Sequence, residues 1–291
     1  MEETEIGIEV LLSLLCVAGL SIWGLVFLHS TRSGIRFRAA AATEPPLWGG
    51  WLVLLVIVGY QLFIGFFYPF FEAWNLEGMA EPEADSAALS LSAGSLFCSM
   101  LAAGGVVTLL ILQNVVFTLR QPLATLGVCR APLVNLVPVI FFSLLIIAPV
   151  LLCALCWALF LQLLGYVPER QQLVEQFSRL FMDGNYPEVA LMTVNAVVLA
   201  PLWEELIFRG LFFGLLMSRW GTLAALVVTS LVFAGYHFSL TAFLPLFCVG
   251  MALGYVYSRT RSIYFAILAH AIFNGVNLLM EVFLVPFLRD S

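Results

Sequence analysis

Glu204-Glu205-Leu206-Ile207-Phe208-Arg209 lies inside an otherwise apolar run from about Val189 to Met217. A charged side chain near the centre of a membrane helix costs about 2.5–3.5 kcal/mol on insertion scales, so this trio costs roughly 8–10 kcal/mol before any pairing. Leucine at each position would be more stable. The stretch therefore reads in one of two ways: a buried ion pair that locks helices together, or a group of working charges in a wet cavity.

The surrounding composition fixes the setting. Of 291 residues, 62% are hydrophobic and only 10% charged, with a mean hydropathy of +1.04. A soluble domain of this composition would have too little polar surface to cover its core. Apolar runs near or above 18 residues recur along the chain, which makes it a polytopic membrane protein. Spanning segments must satisfy their own backbone groups, and the alternation of a barrel is absent, so the fold class is all-α, a membrane helix bundle. All 12 basic residues are arginine. The net charge of −6 comes largely from Glu2, Glu3, Glu5 and Glu9 and from the segment Glu72–Asp85. There is no basic patch, so nucleic acid is not an expected partner. The acidic leading residues do not resemble a cleavable signal peptide. Most of the six cysteines fall in apolar segments, where cysteine packs as a small hydrophobe; Cys153-x-x-Cys156 has redox spacing but sits in mid-helix.

Hydropathy gives eight spans, at roughly 10–28, 49–71, 88–117, 133–165, 189–217, 221–238, 242–258 and 262–286. Residues 1–188 supply four of them plus an amphipathic connector at 167–188, and residues 189–291 form a core of four more. Eight arginines follow odd-numbered spans, against Arg170, Arg179 and Arg289 on the other side. The positive-inside rule then places both termini outside the cytoplasm. Trp48, Trp51, Trp74 and Trp220 sit at expected span ends and read as interfacial anchors. Ala93, Gly94 and Ala102-Ala103-Gly104-Gly105 are small residues that let helices approach closely. His29 reads as a solvated interfacial histidine. In the connector, Leu173, Val174, Phe177, Leu180 and Phe181 recur at helical spacing, the pattern of a helix lying in the membrane interface or of a plain connector.

From Glu204 onward, intramembrane polar residues form a pattern. Phe233 and His237 are four apart on span six, and His270 and Asn274 are four apart on span eight. Residues four apart share a helix face, so Glu205 can pair with Arg209 while Glu204, about 100° away, faces elsewhere. Taken singly, each has a bland explanation, a satisfied structural histidine or an interhelical amide. Together they are a set suited to hydrolysis: a base to take a proton from water, a partner to orient it, and donors for an oxyanion.

Glu204-Glu205-x-x-x-Arg209, Phe233-x-x-x-His237 and His270-x-x-x-Asn274, in that order, resemble the three motifs of the CAAX prenyl endopeptidase and bacteriocin-processing family, intramembrane glutamic proteases also called abortive-infection proteins. Ala200-Pro201-Leu202-Trp203 and Phe208-Arg209-Gly210 resemble the setting of the first motif. The likeness covers roughly 190–280. It implies Glu204 as the general base activating water with help from His237, Glu205 and Arg209 as a supporting pair, and His270 and Asn274 as stabilisers of the oxyanion. It implies a membrane-associated or lipid-modified peptide or protein as substrate, the lipid bilayer as surroundings and no cofactor, and it fits the cell membrane of a bacterium. The resemblance suggests substrate entry from the cytoplasm, whereas the helix count places Glu204 nearer the outer face.

Other readings use the same residues. Glu204, His237 and His270 could ligate a zinc ion with Glu205 nearby, since both side-chain types bind zinc and an open position would hold water, although no H-E-x-x-H pair lies on one helix. Intramembrane acids and histidines also mark proton-coupled transporters, but these have two related halves, and here the polar residues crowd into the last third. A non-catalytic scaffold is the remaining alternative.

Overall fold

The computed structural model describes residues 45–77, 92–129, 131–167 and 172–289. The expected first span at 10–28, His29, the cluster Arg32, Arg36 and Arg38, and most of the acidic Glu72–Asp85 segment lie outside them. Among the described residues all regular structure is helical, with no strand. We number the helices α1 Gly50–Glu77, α2 Ala93–Ile111, α3 Leu136–Leu163, α4 Gln172–Met182, α5 Tyr186–Val194, α6 Ala200–Glu205, α7 Gly214–Tyr236, α8 Leu240–Thr260 and α9 Ile263–Arg289. Three π-helical stretches, Leu112–Thr118, Asn195–Leu199 and Leu206–Phe213, continue or join them.

Among the described residues six helical segments are long and apolar enough to cross a membrane: Gly50–Phe71, Ala93–Thr118, Leu133–Leu163, Tyr186–Tyr236, Leu240–Thr260 and Ile263–Phe283. The protein is an integral membrane protein. The fifty-one-residue segment Tyr186–Tyr236 accounts for two of the expected spans, because Gly221 breaks it at φ 83° and ψ 172°. That left-handed conformation is one only glycine adopts at little cost. An architecture of about eight spans stands.

The helix ends follow ordinary capping chemistry. Ser92 and Ser239 cap α2 and α8, their hydroxyls accepting from the Ser95 and Ala242 N–H groups. After α3, Gly165 turns left-handed and the Tyr166 N–H returns to the Leu161 carbonyl at 2.9 Å. The amphipathic connector is helical over Gln172–Met182, with Phe177 and Ser178 buried and Leu173 and Met182 exposed.

The chain divides into two compact units. One comprises the described residues of Gly127–Gln171 and Leu216–Phe273. Within it α3 packs on α8: the Phe142 and Tyr255 rings lie 5.5 Å apart, and the Trp157 Nε1–H donates to the Leu240 carbonyl at 2.8 Å. The Cys153 and Cys248 sulfurs lie 3.8 Å apart as thiols, and Cys156 is buried and in no disulfide, so the Cys153-x-x-Cys156 pair is unbridged and packed in the helix.

The other unit comprises the described residues of Glu44–Leu126, Gln172–Leu215 and Asn274–Ser291. Two contacts register α2 against α5 and α6. The Ala93 N–H donates to the Glu188 carboxylate at 2.9 Å, and the Trp203 indole lies so close to Gly104 that a β-carbon there would sit 2.2 Å from Cε2. The small-residue cluster of span three is thus the seat of a tryptophan. Trp48 departs from its expected role. It is 1% exposed and donates from Nε1 to the Leu211 carbonyl at 3.0 Å, while Trp51 and Trp220 are exposed as anchors should be. The Leu211 carbonyl, which also accepts from the Gly214 N–H at the end of the π-helical stretch, uses its second lone pair for the indole and holds it inside.

Candidate active site

The first motif sits where α6 passes into the π-helix Leu206–Phe213. Glu205 is wholly buried and Arg209 is 1% exposed, and Arg209 Nη1 donates to Glu205 Oε1 at 3.0 Å. One turn of helix accounts for that pair, as the spacing predicts. Glu204 is partly buried and faces differently. Its carboxylate acts electrostatically on Arg209 and also on the hydroxyl of Tyr60 in α1. The three charges are therefore two acids acting on one guanidinium.

Asn274 belongs to the same unit. Its Nδ2 donates to the Ala196 carbonyl at 2.7 Å, within the π-helix Asn195–Leu199. The ladder there runs from the Ala200 N–H to the Asn195 carbonyl, five residues back. Both side-chain bonds that pin the motif-bearing helix, from Trp48 and from Asn274, are accepted by carbonyls in π-helical turns. Such turns recur at functional sites.

The histidines belong to the other unit. His237 follows the last residue of α7, in a turn where Phe238 has φ 49°. Its Nδ1 lies 2.8 Å from the Phe233 carbonyl. A carbonyl only accepts, so Nδ1 carries the hydrogen and Nε2 of the neutral ring is the basic nitrogen. His270 in α9 is 4% exposed. The Phe233 ring stands edge-on to both imidazoles, with centroids 4.9 Å from His237 and 5.8 Å from His270. Phe233 thus fixes one histidine through its carbonyl and wedges both through its ring, which explains why the motif couples an aromatic residue to the histidine four places on.

Among the expected residues the structure brings together Glu204, Glu205 and Arg209, and separately His237 and His270 around Phe233; Asn274 is tied to Ala196. No group of three or more His, Cys, Asp or Glu side chains disposed to hold a metal ion occurs among the described residues. Sequence reasoning missed Tyr60, whose position offered a signal: a tyrosine ten residues into a span is away from the interface where tyrosines gather. It also missed Asn195, which is 4% exposed with neither amide atom hydrogen-bonded among the described residues.

Comparison with known proteins bears on the same region. Three curated bacterial proteins align with about a third of the chain. "Putative membrane peptidase YdiL" of Bacillus subtilis is 30% identical over 94 residues, 32% of this chain and 38% of that protein. An "Uncharacterized 24.3 kDa protein" of Escherichia coli is 32% identical over 98 residues, 32% and 45% of the two chains. "UPF0177 protein YaiF" of Lactococcus lactis is 37% identical over 98 residues, 33% and 40%. The chain spans under half the length of each of these relatives. No solved structure matches it. Residues 186–276, which hold all three motifs, match the type II CAAX prenyl endopeptidase Rce1-like family, the one that those motifs resemble.

Proposed function

We propose that the protein is a membrane-embedded endopeptidase that hydrolyses peptide bonds by glutamate-assisted attack of water. One observation carries this reading: the region matching the endopeptidase family contains, in order, every residue that the three motifs call for. One of the relatives is described as a membrane peptidase, which agrees.

In this mechanism Glu204 accepts a proton from water as the oxygen attacks the substrate carbonyl carbon. His237 assists through Nε2, the nitrogen left basic by the bond from Nδ1 to Phe233. His270 and Asn274 donate to the carbonyl oxygen as it becomes an oxyanion. Collapse of the tetrahedral intermediate breaks the C–N bond, and the proton held on Glu204 passes to the leaving amine. Glu205 and Arg209 touch no reacting atom; their buried pair keeps the charge balance of the helix that presents Glu204. The substrate is a membrane-associated or lipid-modified peptide, reached from within the bilayer, and the protein resides in a bacterial cell membrane with both termini outside the cytoplasm.

The test is comparative proteomics of membrane-protein C-termini and small peptides in cells carrying the wild type or Glu204→Gln. The proposal expects truncated products that disappear with the substitution. Identical peptide profiles at equal protein amounts would overturn it.

A further inference from the structure

Along α1 the buried positions Leu52, Val53, Val56 and Tyr60 fall on one helical face, each at most 3% exposed. Tyr60 is the polar member of that stripe. Its hydroxyl is buried with no hydrogen-bond partner among the described residues, an arrangement that is costly if nothing compensates. Phenylalanine would fill the same space without that cost. The charged group acting on the hydroxyl is Glu204, in the same compact unit.

The register of α1 explains the approach. Trp48, just before the helix, is fixed to the Leu211 carbonyl, and α1 also packs on the π-helix Leu206–Phe213. From that pin α1 climbs twelve residues to Tyr60, and the motif-bearing helix runs back seven residues to Glu204. A helical side chain leans toward the N-terminus of its own helix, so the Tyr60 ring reaches back toward the level of Glu204. Oε2 of Glu204 is likewise buried. A phenol O–H beside a carboxylate has one favourable role, as a donor, and a bond to a charged acceptor is about twice as strong as a neutral one.

We infer that Tyr60 is a positioning residue for Glu204: its hydroxyl donates to the Glu204 carboxylate through one bridging water, and orients the oxygen that receives the proton. The inference rests on the role given to Glu204 above. It assigns a share of the site to the first half of the chain, outside the region that matches the family.

Tyr60→Phe tests it by two readouts on purified full-length protein in liposomes. The first is the infrared carboxylate band of Glu204, identified as the band lost in Glu204→Gln. Tyr60→Phe is expected to shift that band, and an unchanged band overturns the inference whether or not the protein proves to be a protease. The second is cleavage of a substrate found by the proteomics above. The expected result is a kcat lower by about 10- to 100-fold, the equivalent of losing a hydrogen bond to a charged group, with KM within about twofold and the thermal midpoint unchanged. An unchanged kcat, or a change confined to KM, overturns it. Cleavage retained by Glu204→Gln refutes the proposed mechanism itself and is distinguished from a failure of Tyr60 by that variant alone.

Discussion

Replacing Arg209 by methionine should damage the protein more than replacing Glu205 by glutamine, and the structure gives the reason. Counted as formal charges, Glu204, Glu205 and Arg209 sum to −1. Removing the guanidinium leaves two adjacent carboxylates in an apolar helix with no cation between them; removing Glu205 leaves Arg209 with Glu204 as the acid acting on it. At 3.0 Å and an effective dielectric of about 20, one pair is worth about 5.5 kcal/mol of Coulomb energy, offset by the desolvation of both ions. Breaking such a buried pair from one side typically costs about 3–5 kcal/mol. For Arg209→Met we expect the upper part of that range, and for Glu205→Gln less than the lower bound. The double variant Glu205→Leu/Arg209→Met should recover much of what Arg209→Met loses, because only Glu204 then remains charged. The assay is membrane-inserted amount together with the apparent thermal midpoint in a mild detergent. An Arg209→Met protein as abundant and as heat-resistant as the wild type would refute the argument, as would a larger loss from Glu205→Gln.

Three further outcomes follow from particular contacts. Gly104→Ala drives a β-carbon into the Trp203 indole and should cost about 1–3 kcal/mol, while Gly105→Ala, with nothing within 4 Å, should leave the stability within about 0.5 kcal/mol of the wild type, both read from thermal unfolding in a mild detergent. Asn274→Ala strips the Ala196 carbonyl of its side-chain donor and should lower stability by about 1–3 kcal/mol; because Asn274 is also assigned to the oxyanion, the variant should lose about 100-fold in kcat per folded molecule. Cleavage should persist in strong chelators with no zinc in the purified protein, and loss of activity on chelation with recovery on added zinc would favour the metal reading of Glu204, His237 and His270.

The charges of the first motif were legible because an apolar run makes any ionisable residue conspicuous, and the 3.6-residue period alone pairs Glu205 with Arg209 while turning Glu204 away. Span limits at Ala93–Thr118, Leu133–Leu163 and Leu240–Thr260 lie within a few residues of those read from hydropathy. The π-helical turns were not legible, since hydropathy is blind to which carbonyl pairs with which N–H. For that reason Trp48 reads in the sequence as an interfacial anchor although it is a buried donor to Leu211. The bond from Asn274 to Ala196 was hidden for the same cause. Tyr60 was missed because it lies some 140 residues from the motif whose acid it neighbours, and only the packing of α1 brings the two together. Phe233 was seen as part of a motif, but its work through the carbonyl on His237 and through the ring on both imidazoles needed coordinates.

The most direct test of the account is cleavage of a farnesyl-cysteine peptide reporter, and of peptides released from native membranes, by purified protein in liposomes. Wild type is compared with Glu204→Gln and His237→Ala at matched folded amounts. The account predicts turnover by the wild type and a loss of at least about 1000-fold in Glu204→Gln, with both variants inserted and heat-resistant as the wild type. Turnover by Glu204→Gln at a rate near that of the wild type would contradict it.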